Sequence, residues 1–398
     1  MLINILVGVT IGILLGIITG ITPGIHINLV TAILVAYSYK ILNILDPITI
    51  ILTIVSMAIT HTILDIIPTT ILGIPNAENL TSLMPAHKLT LNKKADLAIK
   101  YGLLGSLLGI LTTIIFSPAI IKIVPIVYEK IKEYIPHLLI AISLFIIIKS
   151  KNKFFSFLAF ATTGVIGILS FNVQTIDQPL LPLLSGLFGL SALILSIQNK
   201  TEIPEQEETK LEISKKDLGK SSIITIFASL LTNFLPGLTS SHTALIANKL
   251  TKIKNESEYI IISNIGGSSA TIISFIAFYT INKTRSGAVS AIAYFIQHLS
   301  FNVLLLIIAI SLITSGIAAL IAINISKKIL KVINKINYIK VSIFIISFII
   351  LIVILITRLE GLLILLTTTS IGVLSEKFKI EKINLTGCLI IPVIIYLI

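Results

Sequence analysis

Long apolar runs, separated by short lysine-bearing loops, leave this chain one class of fold. They occupy 2–20, 48–67, 101–121, 138–148, 154–171, 222–235, 259–281, 288–323, 341–356 and 385–398. Many reach the roughly 20 residues that carry an α-helix across a bilayer. Only 12% of the residues are charged, where a soluble protein would carry about 25%. Lipid offers no partner to a main-chain N–H or C=O, so a span must satisfy its own backbone. The expectation is an all-α, multi-pass protein of the cell membrane. It has about 11–12 spans once short and broken segments are included. Met1-Leu2-Ile3-Asn4 lacks the basic start of a signal peptide and no small-residue cleavage site follows, so the first run reads as a retained helix. The single cysteine, Cys388, excludes an intrachain disulfide and reads as an apolar filler.

The formal net charge of +12 does not indicate a nucleic-acid partner, because the lysines cluster between spans. Lys88, Lys93, Lys94 and Lys100 form one cluster, and Lys149, Lys151 and Lys153 a second. Lys249, Lys252 and Lys254 form a third, Lys327, Lys328, Lys331, Lys335 and Lys340 a fourth, and Lys377, Lys379 and Lys382 a fifth. Such loops face the cytoplasm. All of them can do so only if 221–248 enters the membrane and leaves on the same side, as a hairpin broken at Pro236-Gly237 would.

The one long polar stretch, 199–220, carries Glu202, Glu205, Glu207, Glu208, Glu212 and Asp217 among lysines. It reads as a solvated cytoplasmic linker between an N-terminal transmembrane repeat, 1–198, and a C-terminal one, 221–398. Each half opens with an apolar helix and a Pro-Gly break. Thr31-Ala32 follows the first break and Thr243-Ala244 the second. Charge leaves open whether the repeats are inverted or parallel, since only Lys40 lies near the first break. Gly8, Gly12, Gly16 and Gly20 recur every four residues and make a face for close helix packing.

The breaks themselves carry the functional signal. The first reads Thr22-Pro23-Gly24-Ile25-His26-Ile27-Asn28, the second Leu235-Pro236-Gly237-Leu238-Thr239-Ser240-Ser241-His242. A broken helix at membrane depth is tolerated inside protein or along a wet cavity. A matched pair, one per half, points to a transporter binding site. A helix restarting after each break would aim free N–H groups at an anion. His26 adds a switchable charge and Asn28 both donors and acceptors; a purely structural capping role is the alternative. Gly266-Gly267-Ser268-Ser269 reads as a nest for carboxylate or phosphate oxygens. It lies in 263–270, the second-half counterpart of the polar interruption at 71–79. His61 and Asp65 lie four apart on one apolar helix, as an ion- or proton-coupling pair or as a buried hydrogen bond. Two ligands are too few for a metal site, and no cofactor is implied. Arg285 in Thr284-Arg285-Ser286-Gly287 is either a snorkelling interfacial cation or an anion guide. No Gly-Lys-Ser/Thr phosphate loop, His-Glu-x-x-His or Gly-x-Ser-x-Gly motif occurs, which leaves a built-in ATPase or standard hydrolase unsupported.

The chain resembles the large permease subunit (TctA family) of the tripartite tricarboxylate transporters, in its archaeal branch. The likeness is carried by Gly20-Ile21-Thr22-Pro23-Gly24-Ile25, Ile71-Leu72-Gly73-Ile74-Pro75, the stretch 85–98 and Pro182-Leu183-Leu184-Ser185-Gly186-Leu187-Phe188-Gly189. Leu235-Pro236-Gly237-Leu238, Ser370-Ile371-Gly372-Val373-Leu374 and Leu385-Thr386-Gly387-Cys388-Leu389-Ile390-Ile391-Pro392 extend it. The resemblance implies a carrier of two pseudo-repeats with small carboxylates bound between them at the Pro-Gly elements. It also implies a small membrane subunit, an extracytoplasmic binding protein and an ion gradient, Na+ or H+, as driving force. His26 and Asn28 stand where the family keeps small residues.

The sequence thus predicts a secondary transporter, not an enzyme, for a small organic anion such as a di- or tricarboxylate, working by alternating access. A flippase for a lipid-linked phosphate is the first alternative, and an intramembrane enzyme using His61, Asp65 and His26 the second.

Overall fold

The architecture is that of a computed structural model describing residues 2–22, 25, 27–73, 80–176, 178–198, 204–207, 215–251, 255–332 and 337–398. Among these residues every regular element is helical. The first half of the chain forms α1 (Leu2–Ile21), α2 (Ile27–Ala36), α3 (Ser38–Leu42), α4 (Pro47–Leu64), α5 (Ile66–Leu72), α6 (Leu80–Leu91) and α7 (Ala95–Ile131). It continues with α8 (Ile135–Lys149), α9 (Lys153–Asn172), α10 (Leu180–Leu184), a π-helical turn at Ser185–Leu190, and α11 (Ser191–Gln198). The second half forms α12 (Lys215–Phe234), α13 (Ser240–Thr251), α14 (Glu256–Ile281), α15 (Gly287–Phe295), α16 (Phe301–Val332), α17 (Tyr338–Lys377) and α18 (Gly387–Leu397). Among the described residues, eight helical segments are long and apolar enough to cross a membrane, accompanied by three shorter apolar helices. The molecule is a multi-pass, all-α membrane protein.

Local chemistry explains where these helices begin and end. Asp46 caps α4 by accepting from the Thr49 N–H at 3.0 Å, and Pro47 sits in the first turn, where its missing N–H is not needed. Asn255, Ser286 and Asn337 cap α14, α15 and α17 in the same way. α5 and α14 both stop at a left-handed residue, Gly73 (φ 61°) and Asn282 (φ 51°). α17 is interrupted at Arg358, where φ is 56° and ψ −155°, so 338–357 and 359–377 are separate arms. Ile349 and Val353 from the first arm and Leu365 from the second share one cluster with Leu190 and Leu193. The apolar run 288–323 is likewise two helices, because 296–300 leaves the helical path between α15 and α16.

The glycine face of α1 lies against α4. A β-carbon on Gly16 would come 2.5 Å from Thr60 Cβ, and one on Gly20 2.9 Å from Leu64 Cβ. Gly8 meets Thr49 and Gly20 meets Leu64, so α1 and α4 run in the same direction. At their shared start Asn4 donates to Asp46 at 2.7 Å. The chain between them must turn back, with α2 and α3 on the return. The second break is in a hairpin, with Thr232 and Thr243 hydroxyls 2.5 Å apart across α12 and α13.

The central helices pair across the two halves. Gly105 of α7 packs on Ile261 of α14 and Gly109 on Ile265, a parallel pair. Leu52 clusters with Ile310, and Thr314 donates to Ser56 at 3.4 Å, making α4 and α16 parallel as well. The end of α14 meets the start of α16 at Tyr279 and Phe301, and Ile66, just past α4, packs on Gly102 near the start of α7. α4 therefore runs opposite to α14, and α7 opposite to α16.

Contacts among the lysine loops put them on one side. Lys88 of α6 pairs with Glu256 at the start of α14. Asn384 donates to Ser150 at 3.0 Å, and Lys249 sits 4.2 Å from the Phe145 ring centroid. The linker is not solvated throughout. Gln206 accepts from the Ala95 N–H at 2.9 Å and donates to the Thr90 carbonyl at 3.0 Å, which pins the linker to the turn between α6 and α7.

Two outcomes check this packing. Gly16→Leu overfills the contact with Thr60 and should lower unfolding stability by about 1–3 kcal/mol, read from melting in detergent. The Thr49 hydroxyl, then the Thr49 N–H, holds the Asp46 carboxyl below its ordinary value of 3.8. A depressed carboxylate stabilises the fold above 3.8 and loses that contribution as pH falls through the lower folded value. Asp46→Ala should melt below wild type at neutral pH, and the gap should close as melting is measured toward about pH 2.

Candidate functional site

The second break is built from main-chain necessity. α12 ends at Phe234, and Gly237 takes φ 85°, a conformation that disfavours any side chain. α13 then starts at Ser240 with Thr239 at its N-cap position. His242 accepts from the Thr239 N–H through Nδ1 at 3.1 Å, while its own N–H bonds the Thr239 carbonyl at 2.9 Å. The imidazole thus returns to the N-cap N–H as the N3 side chain of a capping box does, with the Thr239 hydroxyl 3.2 Å from the same nitrogen. With Nδ1 accepting, the ring proton lies on Nε2, which faces the Thr386 hydroxyl at 3.4 Å.

The two breaks open onto one cavity of about 1070 Å³. Thr22 and Asn28 line it from the first break, and Pro236, Gly237, Thr239 and Ser240 from the second. His61 and Asp65 line it from α4 and the residue after it, and Gly267 from α14. The structure thus gathers in one place most of the described residues that the sequence singled out. Pro23, Gly24 and His26 lie outside the described residues. Ser241, His242, Gly266, Ser268 and Ser269 do not line the cavity. His242 is 1% exposed and serves the break itself.

The expected nest at Gly266–Ser269 is corrected by the structure. These residues sit inside the continuous helix α14, so their amides belong to helical hydrogen bonds and no concave array of free N–H groups forms. Ser268 donates to the Asn264 carbonyl at 2.8 Å and Ser269 to the Gly266 carbonyl at 3.1 Å. Small residues are needed here because Ser268 faces Gly109 of α7 and Gly266 faces Thr243 of α13. α14 ends at left-handed Asn282, as α5 ends at left-handed Gly73, and the segment 282–286 leads from it to α15.

That segment supplies the group whose place the sequence left open. Arg285 lines the cavity, and its Nη2 donates to the Phe234 carbonyl at 3.0 Å. Phe234 ends α12, so this carbonyl is one of those a helix leaves unpaired, at the negative end of its dipole. Two residues on, Gly287 packs so closely on the Asn28 side chain that a β-carbon would collide with it. The segment 284–287 thereby touches both breaks. Thr-Arg-Ser-Gly at the start of an apolar run was the available signal, but no periodicity reveals that it folds inward. The π-helical turn adds Ser185, Phe188 and Gly189 to the wall.

His61 is 4% exposed, and its carbonyl accepts the Asp65 N–H at 2.9 Å. Thr69 donates to the Asp65 carboxylate at 3.5 Å. Asp65 interrupts the path between α4 and α5, one turn below His61. Among the described residues no three His, Cys, Asp or Glu side chains gather as a metal-ligand set. The cavity therefore offers a guanidinium, a carboxylate and an imidazole amid amides and hydroxyls, together with the N-terminal ends of α2 and α13. Such a wall suits a small, polar, negatively charged solute.

Comparison with known proteins follows the same direction. A family model described as "Tripartite tricarboxylate transporter TctA family" matches residues 6–387. An uncharacterized protein of Methanocaldococcus jannaschii is 31% identical over 351 residues, covering 86% of this chain and 87% of that protein. No solved structure matches.

The break makes its own prediction. His242→Ala should lower stability by about 1 kcal/mol through loss of the cap. His242→Gln, whose amide can still accept from the Thr239 N–H, should recover part of it in the same melting series.

Proposed function

Because the chain belongs to the tripartite tricarboxylate transporter TctA family, we propose that it is the permease that carries a small organic anion, of the di- or tricarboxylate class, by ion-coupled alternating access. The observation that carries this reading is the meeting of both helix breaks on one cavity of about 1070 Å³. Two helix N-termini, α2 at Ile27 and α13 at Ser240, face that space and favour negative charge.

The transported anion occupies the cavity between the halves, and His61 with Asp65 takes the coupling ion, Na+ or H+. An acid and an imidazole one turn apart beside the anion can bind a cation when the anion is present. That linkage ties the two fluxes together. The opposed directions of α4 and α14, and of α7 and α16, support inverted repeats at 1–198 and 221–398, joined by the linker 199–220. The left-handed ends of α5 and α14 support the same correspondence. Inverted repeats give a carrier two equivalent conformations by exchanging the roles of its halves.

The cavity reaches Phe171, Gln178 and Tyr294, all on the side opposite the lysine clusters. No described residue of the lysine loops lines it. On the lysine side, α6 is held by Lys88–Glu256 and by Thr90, whose hydroxyl donates to the Thr70 carbonyl at 2.9 Å. With positive loops in the cytoplasm, the conformation is outward-facing. An extracytoplasmic binding protein would deliver substrate to this mouth, with a small membrane subunit beside it.

Uptake of labelled citrate and succinate into proteoliposomes, under an imposed Na+ or pH gradient, tests the reading. Gradient-dependent accumulation that Asp65→Asn abolishes is expected; absence of binding and uptake for every carboxylate tried would overturn it. Cys388 is buried and is the only cysteine, so Gln178→Cys should react with an impermeant maleimide added from outside. A cytoplasmic reaction only would reverse the orientation.

A further inference from the structure

We infer that Arg285 is the residue that binds a carboxylate of the transported anion, an assignment that rests on the carrier reading and gives it a specific contact. Among the described residues that line the cavity, Arg285 is the only arginine or lysine. A guanidinium carries five N–H donors and no acceptor. Nη2 reaches the Phe234 carbonyl, while Nε is buried without a hydrogen-bond partner among the described residues. A cation with a dry, unpaired donor beside a large cavity is poised to gain by swinging onto an anion there. Carboxylates are the planar, two-oxygen partners that a guanidinium matches best.

Position strengthens the case. Arg285 is two residues before α15, whose first turn adds N–H groups of the same sign, and Ser286 caps that helix by accepting from the Val289 N–H at 3.3 Å. Its present acceptor is the last carbonyl of α12, and the neighbouring Gly287 abuts Asn28 at the first break. A carboxylate held by Arg285 therefore lies between the two breaks. One cation calls for one carboxylate at this end of the solute. The remainder of the solute faces Asn28, Asn233 and the hydroxyls of Thr271 and Ser274. Drawing the guanidinium from the Phe234 carbonyl would also loosen the end of α12, which links occupancy of the cavity to the break itself.

The test separates binding from structural capping. Arg285→Gln keeps an amide donor for the Phe234 carbonyl but removes the charge; Arg285→Lys keeps the charge but not the fork. Purified full-length protein is titrated with succinate and with citrate, and the melting shift gives the half-saturating concentration. Expected is a rise of at least tenfold for Arg285→Gln and a smaller, several-fold rise for Arg285→Lys, with carboxylate-free melting temperatures near wild type. Unchanged half-saturation in Arg285→Gln would overturn the assignment while leaving the carrier intact. Should Arg285→Gln not fold, unchanged half-saturation in Arg285→Lys would overturn it equally. A wild-type protein unresponsive to either anion, and inactive in uptake, would remove the carrier reading and this assignment with it.

Discussion

A helix that stops inside a membrane leaves main-chain groups that lipid cannot satisfy, and the centre of this molecule is arranged around that demand. At the second break Arg285 takes the carbonyl that ends α12, and His242 takes the N–H that precedes α13. Both are polar side chains brought into an apolar interior, and each is held there by elements distant in sequence. Thr386 receives the far side of the imidazole, and the Gly287 contact with Asn28 fixes the segment that carries Arg285. The cavity follows from the same demand. Where the backbone turns away from helical pairing, space and polarity are left together.

The walls that hold the breaks are correspondingly tight. Glycines on α1 and α7 bring main chains into contact with α4 and α14, where side chains would otherwise keep helices 8–10 Å apart. Several buried hydroxyls on these helices return to carbonyls of their own helix, as Thr53 does to Thr49 and Ser268 to Asn264, whereas Thr60, Ser106 and Thr113 find no partner among the described residues.

Much of this was legible in the residues. The apolar runs gave the class, and the four-residue glycine spacing gave a close helix contact. Pro-Gly beside hydroxyls and amides located both ends of the cavity. What failed did so for physical reasons. Gly266–Ser269 has the composition of a loop, but in a packed membrane helix small residues are what permit close approach, so composition and conformation part company. His242 resembled a binding group because ionisable residues at membrane depth default to function. A capping role depends on a three-residue geometry that the apolar pattern does not display. Arg285 sits at the edge of an apolar run, and its inward course shows only in contacts distant in sequence, the Phe234 carbonyl and the Gly287 packing on Asn28. The opposed directions of α4 and α14 were silent, since Lys40 alone could not orient the segment that precedes α4.

The pairing of α4 with α16 and of α7 with α14 has a consequence for how the chain is made. Pro47–Leu72 and Glu256–Ile281 are the most enclosed segments, 89% and 83% buried. α4 carries Thr53, Ser56, Thr60 and His61 in its enclosed face. Its partner α16 follows late, with Thr314 lying 258 residues after its contact Ser56, which at about 5–20 residues per second is roughly 10–50 s. Through that interval a helix made for protein contact on nearly all sides must wait in the bilayer or its insertion machinery. The newborn first half is thus an orphan awaiting its sibling, and the speed of translation becomes a determinant of yield.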